Sequence, residues 1–139
     1  MKRIIVAASL LLLCHTISFA QCKGKLTISA SKTEYLDANS VVERTVDENT
    51  VIEISNPDII IKPGDKTMKA TIKSDTCNWK IPFKEGKTIL NVTFNDDQGT
   101  TMNASITIEG KEGKLTLLLH TEGRPGIIRV PIDKFEEKN

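Results

Sequence analysis

Residues 88–132 read TILNVTFNDDQGTTMNASITIEGKEGKLTLLLHTEGRPGIIRVPI, and the order of apolar and polar residues in this stretch decides the fold. Leu90, Val92 and Phe94 alternate with Asn91 and Thr93. Met102, Ala104, Ile106 and Ile108 alternate with Asn103, Ser105, Thr107 and Glu109. Leu115, Leu117 and Leu119 form a third row, and Ile128, Val130 and Ile132 a fourth. Successive side chains of an extended strand point to opposite faces, so each row marks a strand with one buried face. No comparable stretch carries helical spacing.

The segments between the rows are turns. Asp96 to Thr100 sets Phe94 beside Met102 and Val92 beside Ala104. Gly110-Lys111-Glu112-Gly113, closed as a four-residue loop, sets Ile108 beside Leu115, Ile106 beside Leu117 and Glu109 beside Lys114. Glu122-Gly123-Arg124-Pro125 sets Leu119 beside Ile128 and Leu117 beside Val130. Apolar meets apolar in each hairpin, which is how cross-strand pairs stabilise a sheet. Three hairpins in series with one apolar face predict an antiparallel meander.

Upstream, Met68, Ala70 and Ile72 share a face, as do Cys77, Trp79, Ile81 and Phe83, and Ser74-Asp75 is read as the turn between two strands. Val51 to Ser55 and Ile59 to Lys62 flank the turn signal Asn56-Pro57-Asp58. Ile59-Ile60-Ile61 is apolar on both faces, which predicts cover on both sides. Leu26 to Ala30 is a first strand. Ser31 to Asn49 is the least determined stretch, with Val41-Val42 as a short strand. The charged tail from Asp133 is expected to end as a frayed turn of helix. Lys-Glu-Gly-Lys occurs at 84–87 and at 111–114 and is read as two similar turns.

The sum is an all-β chain of eight to ten short strands. An open meander leaves its apolar face wet, so it closes on itself or folds into two stacked sheets. The expectation is a closed or partly closed barrel, with a β-sandwich as the alternative.

The N-terminus sets the compartment. Met1-Lys2-Arg3 is basic, Ile4 to Cys14 is apolar but for Ser9, and Ser18-Phe19-Ala20 offers small residues at −3 and −1. That order is a secretory signal peptide, and the apolar run is too short to span a bilayer. Cleavage after Ala20 leaves a single β domain, residues 21–139, secreted or periplasmic. It takes Cys14 away, so Cys22 and Cys77 remain, and an even pair in an exported protein predicts a disulfide. A lipid anchor on Cys22 is the rival reading, although Gln21 and Phe19 depart from the small and aliphatic residues an acylation site favours. Gln21, once N-terminal, is also placed to cyclise to pyroglutamate.

Charge narrows the partners. The chain carries 19 basic and 18 acidic residues, and removing Lys2 and Arg3 leaves a net charge near −1. Interspersed charges of that balance give no footprint for nucleic acid, and no second segment is long enough for a transmembrane helix. Chemistry is equally sparse. After cleavage His120 is the single histidine, and no serine lies in a Gly-x-Ser-x-Gly setting. Asp96-Asp97-Gln98-Gly99 lacks the order of a calcium loop and is a turn by composition. Asn91-Val92-Thr93 and Asn103-Ala104-Ser105 match the glycosylation pattern but lie mid-strand. Trp79 is in phase with core positions. Leu118, Ile127 and Ile89 form an apolar patch on the outer face, either covered by the Asp37–Asn49 segment or used as a contact surface.

No metal, cofactor or catalytic set is expected. The reading is a non-catalytic binding protein whose apolar face, Leu90, Val92, Phe94, Met102, Ile106, Leu117, Leu119 and Val130, lines either a packed core or a cavity for a small apolar ligand. A protein-interaction module of the envelope or extracellular space, with a packed core, is the alternative.

Overall fold

A computed structural model describes residues 20–95 and 98–138. Residues 1–19, which hold most of the expected signal peptide, the Asp96-Asp97 pair and Asn139 lie outside the described residues. A four-residue helix α1 (Ala20–Lys23) precedes nine strands. These are β1 (Leu26–Leu36), β2 (Val42–Ser55), β3 (Asp58–Pro63), β4 (Met68–Ile81), β5 (Glu85–Asn95), β6 (Thr101–Lys111), β7 (Lys114–Thr121), β8 (Ile127–Pro131) and β9 (Lys134–Glu137).

Each of β1 to β7 pairs antiparallel with the strand that follows it. β8 then returns to β1, with Glu34 opposite Arg129 and Leu36 opposite Ile127, and closes an eight-stranded barrel. Closure leaves one inner face, so the sandwich alternative does not apply. The tail is a strand and not a helical turn. β9 pairs with Leu26–Ser29, the stretch of β1 that β8 leaves free, and this buries Phe135.

Two of the three expected hairpin registers are present: Phe94 faces Met102, and Leu119 faces Ile128. The third differs by two residues. Ile108 faces Leu117 and Ile106 faces Leu119, because the β6–β7 turn is Glu112-Gly113 alone. Both residues have positive φ, 53° and 78°. A two-residue turn of that kind matches the twist of its strands better than a four-residue loop. A slip of two keeps every side chain on its face, so the buried set is unaffected.

Bulges account for most other departures. Ser74-Asp75 is no turn: β4 runs on through a register shift between Ile72 and Ser74. Ile72 and Trp79 stand on opposite parities in sequence, and one extra residue puts both inside. A second shift, between Trp79 and Ile81, leaves Ile81 44% exposed and off the shared face. In the undetermined Ser31–Asn49 stretch, β1 continues to Leu36 and β2 starts at Val42, with shifts between Ala30 and Lys32 and between Tyr35 and Leu36. Ile59 and Ile61 are buried, but Ile60 on the outer face is half-exposed, so the triple isoleucine is covered on one side only.

The interior is one cluster of side chains from every barrel strand, with Ile28, Ile59, Ile106 and Ile108 fully enclosed. One end of the barrel is stoppered. The lower half of β4 carries Trp79 onto Phe135, ring centroids 5.9 Å apart, and Phe83 packs edge-on against Phe135 at 4.8 Å. Trp79 Nε1 donates to Thr88 Oγ1 at 2.7 Å, and that hydroxyl donates to Cys77 Sγ at 3.4 Å. Cys77 is joined to Cys22 in the expected disulfide, which ties α1 across the same end. Gly86 and Gly110 face each other there. A Cβ on Gly86 would stand 2.4 Å from Trp79 Cα, and one on Gly110 2.4 Å from the Lys84 carbonyl oxygen, so only glycine allows the strands to fold over.

Candidate functional site

The eight residues expected to line the interior separate into layers. Leu90, Val92, Ile106, Leu117 and Val130 are buried in the central cluster and belong to the packed core. The space left beside them is about 20 Å³, under the disulfide, between Leu26, Ile54, Ile72, Leu90 and Ile108. That is room for about one water molecule. Phe94 is buried at the upper limit of the cluster, and Leu119 is half-buried against it. Met102 is 37% exposed and is not a core residue. It is the second residue of β6, beyond Ala104, where the strand reaches the open end of the barrel.

At that open end Phe94, Met102 and Leu119 meet Met68 and Ile128 around a cleft of about 610 Å³. The barrel places them there by register. Phe94 faces Met102, Leu119 faces Ile128, and Ile61 faces Met68, so Met68, Met102, Leu119 and Ile128 lie on inward faces beside Phe94 and Ile61 at the limit of the packed core. Met68 is 38% exposed, so two flexible thioether side chains border the opening. Lys69 and Arg124 stand at its edge, with Arg124 Nη2 3.9 Å from Met102 Sδ. The size falls in the range of small-molecule sites, about 300–1,000 Å³, and the five apolar side chains share the lining with Thr67, Lys69, Asn95, Thr121 and Arg124. Methionine suits irregular apolar partners because it is unbranched and polarisable.

Sequence periodicity had put Met68 and Ile128 on apolar faces, but nothing in it separated the layer that packs from the layer that opens. Lys69 and Arg124 carry no pattern of their own.

The outer face offers less. His120 is exposed in a shallow groove with Lys73, Asn91, Asn103, Ser105 and Glu122. Asn91 Nδ2 donates to Ser74 Oγ at 2.9 Å, and Thr93 Oγ1 donates to Asn103 Oδ1 at 3.1 Å, so both asparagines of the glycosylation pattern are engaged across strands. Leu118, Ile127 and Ile89 are half-buried, and the Asp37–Asn49 segment does not cover them, because residues 42–49 belong to β2 in the barrel wall. Among the described residues, no three His, Cys, Asp or Glu side chains are grouped to hold a metal ion, and no helix is long and apolar enough to cross a membrane.

No family model, curated protein or solved structure matches the chain. The site is therefore defined by its own residues.

Proposed function

We propose that the protein is a non-catalytic binding protein that takes a small apolar molecule at the open mouth of its barrel. The carrying observation is the cleft between Met68, Phe94, Met102, Leu119 and Ile128, which lies above a filled core. The cavity beside the core layer, about 20 Å³, is too small for such a ligand, so the proposed seat is the mouth. The N-terminal sequence supports export through a cleaved leader of residues 1–20. The Cys22–Cys77 disulfide is compatible with an oxidising compartment. It also occupies the sulfur that a lipid anchor on Cys22 would need, which favours a free exported domain over an anchored one.

The test is titration of the disulfide-intact protein with 8-anilinonaphthalene-1-sulfonate, competed by a medium-chain fatty alcohol. Saturable one-to-one binding that weakens in Met102→Glu, with the thermal transition retained, is the expected result. No probe binding to the folded protein overturns it. That outcome would favour an interaction module of the envelope or extracellular space, a reading supported by the continuous packing of the interior.

A further inference from the structure

The charged residues that line the mouth are both cations, Lys69 and Arg124, and no Asp or Glu is among the described residues of that lining. Arg124 is the better placed. It sits in the turn between β7 and β8, and its neighbours fix its backbone. Its N–H donates to the Thr121 carbonyl at 3.1 Å, and Gly123 before it takes φ 79°. Pro125 after it restricts Arg124 itself to extended angles. The turn also sorts its charges. Glu122, whose N–H donates to the Asn103 carbonyl at 2.9 Å, lines the groove on the outer face, whereas Arg124 lines the mouth.

Arg124 differs from the other arginines among the described residues. Arg129 is paired with the Glu34 carboxylate, and Arg44 lies 4.2 Å from the centroid of the Tyr35 ring. The Arg124 guanidinium has no carboxylate partner among the described residues. Its Nη2 lies 3.9 Å from Met102 Sδ, and a thioether is a weak acceptor. A planar fork of N–H donors is thereby held at the rim of an apolar cleft. That fork matches a carboxylate, which it binds through two parallel hydrogen bonds. A cleft lined by charge of one sign beside apolar walls also draws ligands of the opposite sign. Met102 borders the cleft and meets Arg124, so a single ligand can reach both.

We propose that the ligand of the mouth is a small amphiphile with a carboxylate head, its apolar chain among Met68, Phe94, Met102, Leu119 and Ile128 and its head on Arg124. This rests on the function proposed above: the seat is the same, and what is added is the charge and shape of the head group.

Isothermal titration of the disulfide-intact protein with decanoate, decanol and decyltrimethylammonium near neutral pH tests it, because these ligands differ chiefly in head charge. Decanoate should bind about three- to tenfold more tightly than decanol, the scale of a bidentate pair at a partly exposed site, and decyltrimethylammonium should bind most weakly. The preference for decanoate should shrink as salt is added. In Arg124→Gln the ratio of the two affinities should fall towards one, and in Arg124→Glu decanol should become the tighter ligand. Arg124 is exposed, and circular dichroism checks that both variants fold. Equal binding of all three ligands leaves the seat standing and overturns the carboxylate. So does a preference for decanoate that both variants retain. Binding of none of the three overturns the seat and this inference together.

Discussion

Thr88 Oγ1 accepts from Trp79 Nε1 at 2.7 Å inside the stoppered end and donates to Cys77 Sγ at 3.4 Å. Thr88→Val keeps the shape but leaves the indole N–H buried without an acceptor, which costs about 1–3 kcal/mol. The denaturant midpoint should fall accordingly with an unchanged slope. The disulfide beside it spans a sequence separation of 55, for which loop-closure entropy gives about 4 kcal/mol. Cys22→Ser should lower the unfolding free energy in urea by up to that amount. At the surface, the hydrogen bond from Lys138 and its charge hold the Glu53 carboxyl below the usual glutamate range. A depressed folded pKa contributes stability that is present above the unfolded value and lost as pH falls through the folded one. In Lys138→Ala, stability should decline less steeply on acidification, and the Glu53 carboxyl should titrate higher by NMR.

β9 works as a wedge. Four residues long, it fills the edge of β1 that β8 leaves open and delivers Phe135 to Trp79 and Phe83. Phe135→Ala should cost about 3–5 kcal/mol, read from chemical denaturation, and should loosen the stopper without touching the mouth. The elements also show what sequence could reveal. Strands β5 to β8 have unbroken period two, and their faces were legible residue by residue. β1, β2 and β4 contain bulges, and a bulge inverts the parity that periodicity depends on. Ile72 and Trp79 therefore looked like members of different strands, and Thr33 and Leu36 carried no readable phase. β9 was missed because a four-residue strand with one apolar residue, Phe135, is indistinguishable from a charged tail until its partner edge is known. The two-residue turn at Glu112-Gly113 was hidden inside a longer turn-like string.

The molecule as a whole has two unlike ends. Even strand number and meander order send alternate turns to opposite ends. One set carries the disulfide, the aromatic stopper and the glycine pair. The other surrounds the cleft bordered by Met68 and Met102. That one apolar face had to be enclosed followed from the sequence, and the pairing of β8 with β1 decides for a barrel over two stacked sheets. Which end would open did not follow, because it depends on how far each strand overhangs the core. Met102 shows this: its apolar phase was visible, but its place above the last packed layer was set by the length of β6. The split between a filled core and an open mouth is the central claim. Amide NMR of the disulfide-intact protein, titrated with a medium-chain fatty alcohol, measures it directly. Shifts should be confined to residues around Met68, Phe94, Met102, Leu119 and Ile128, with Leu90, Ile108 and Leu117 unmoved. Shifts centred on those three deep residues, or none anywhere at saturation, would contradict it.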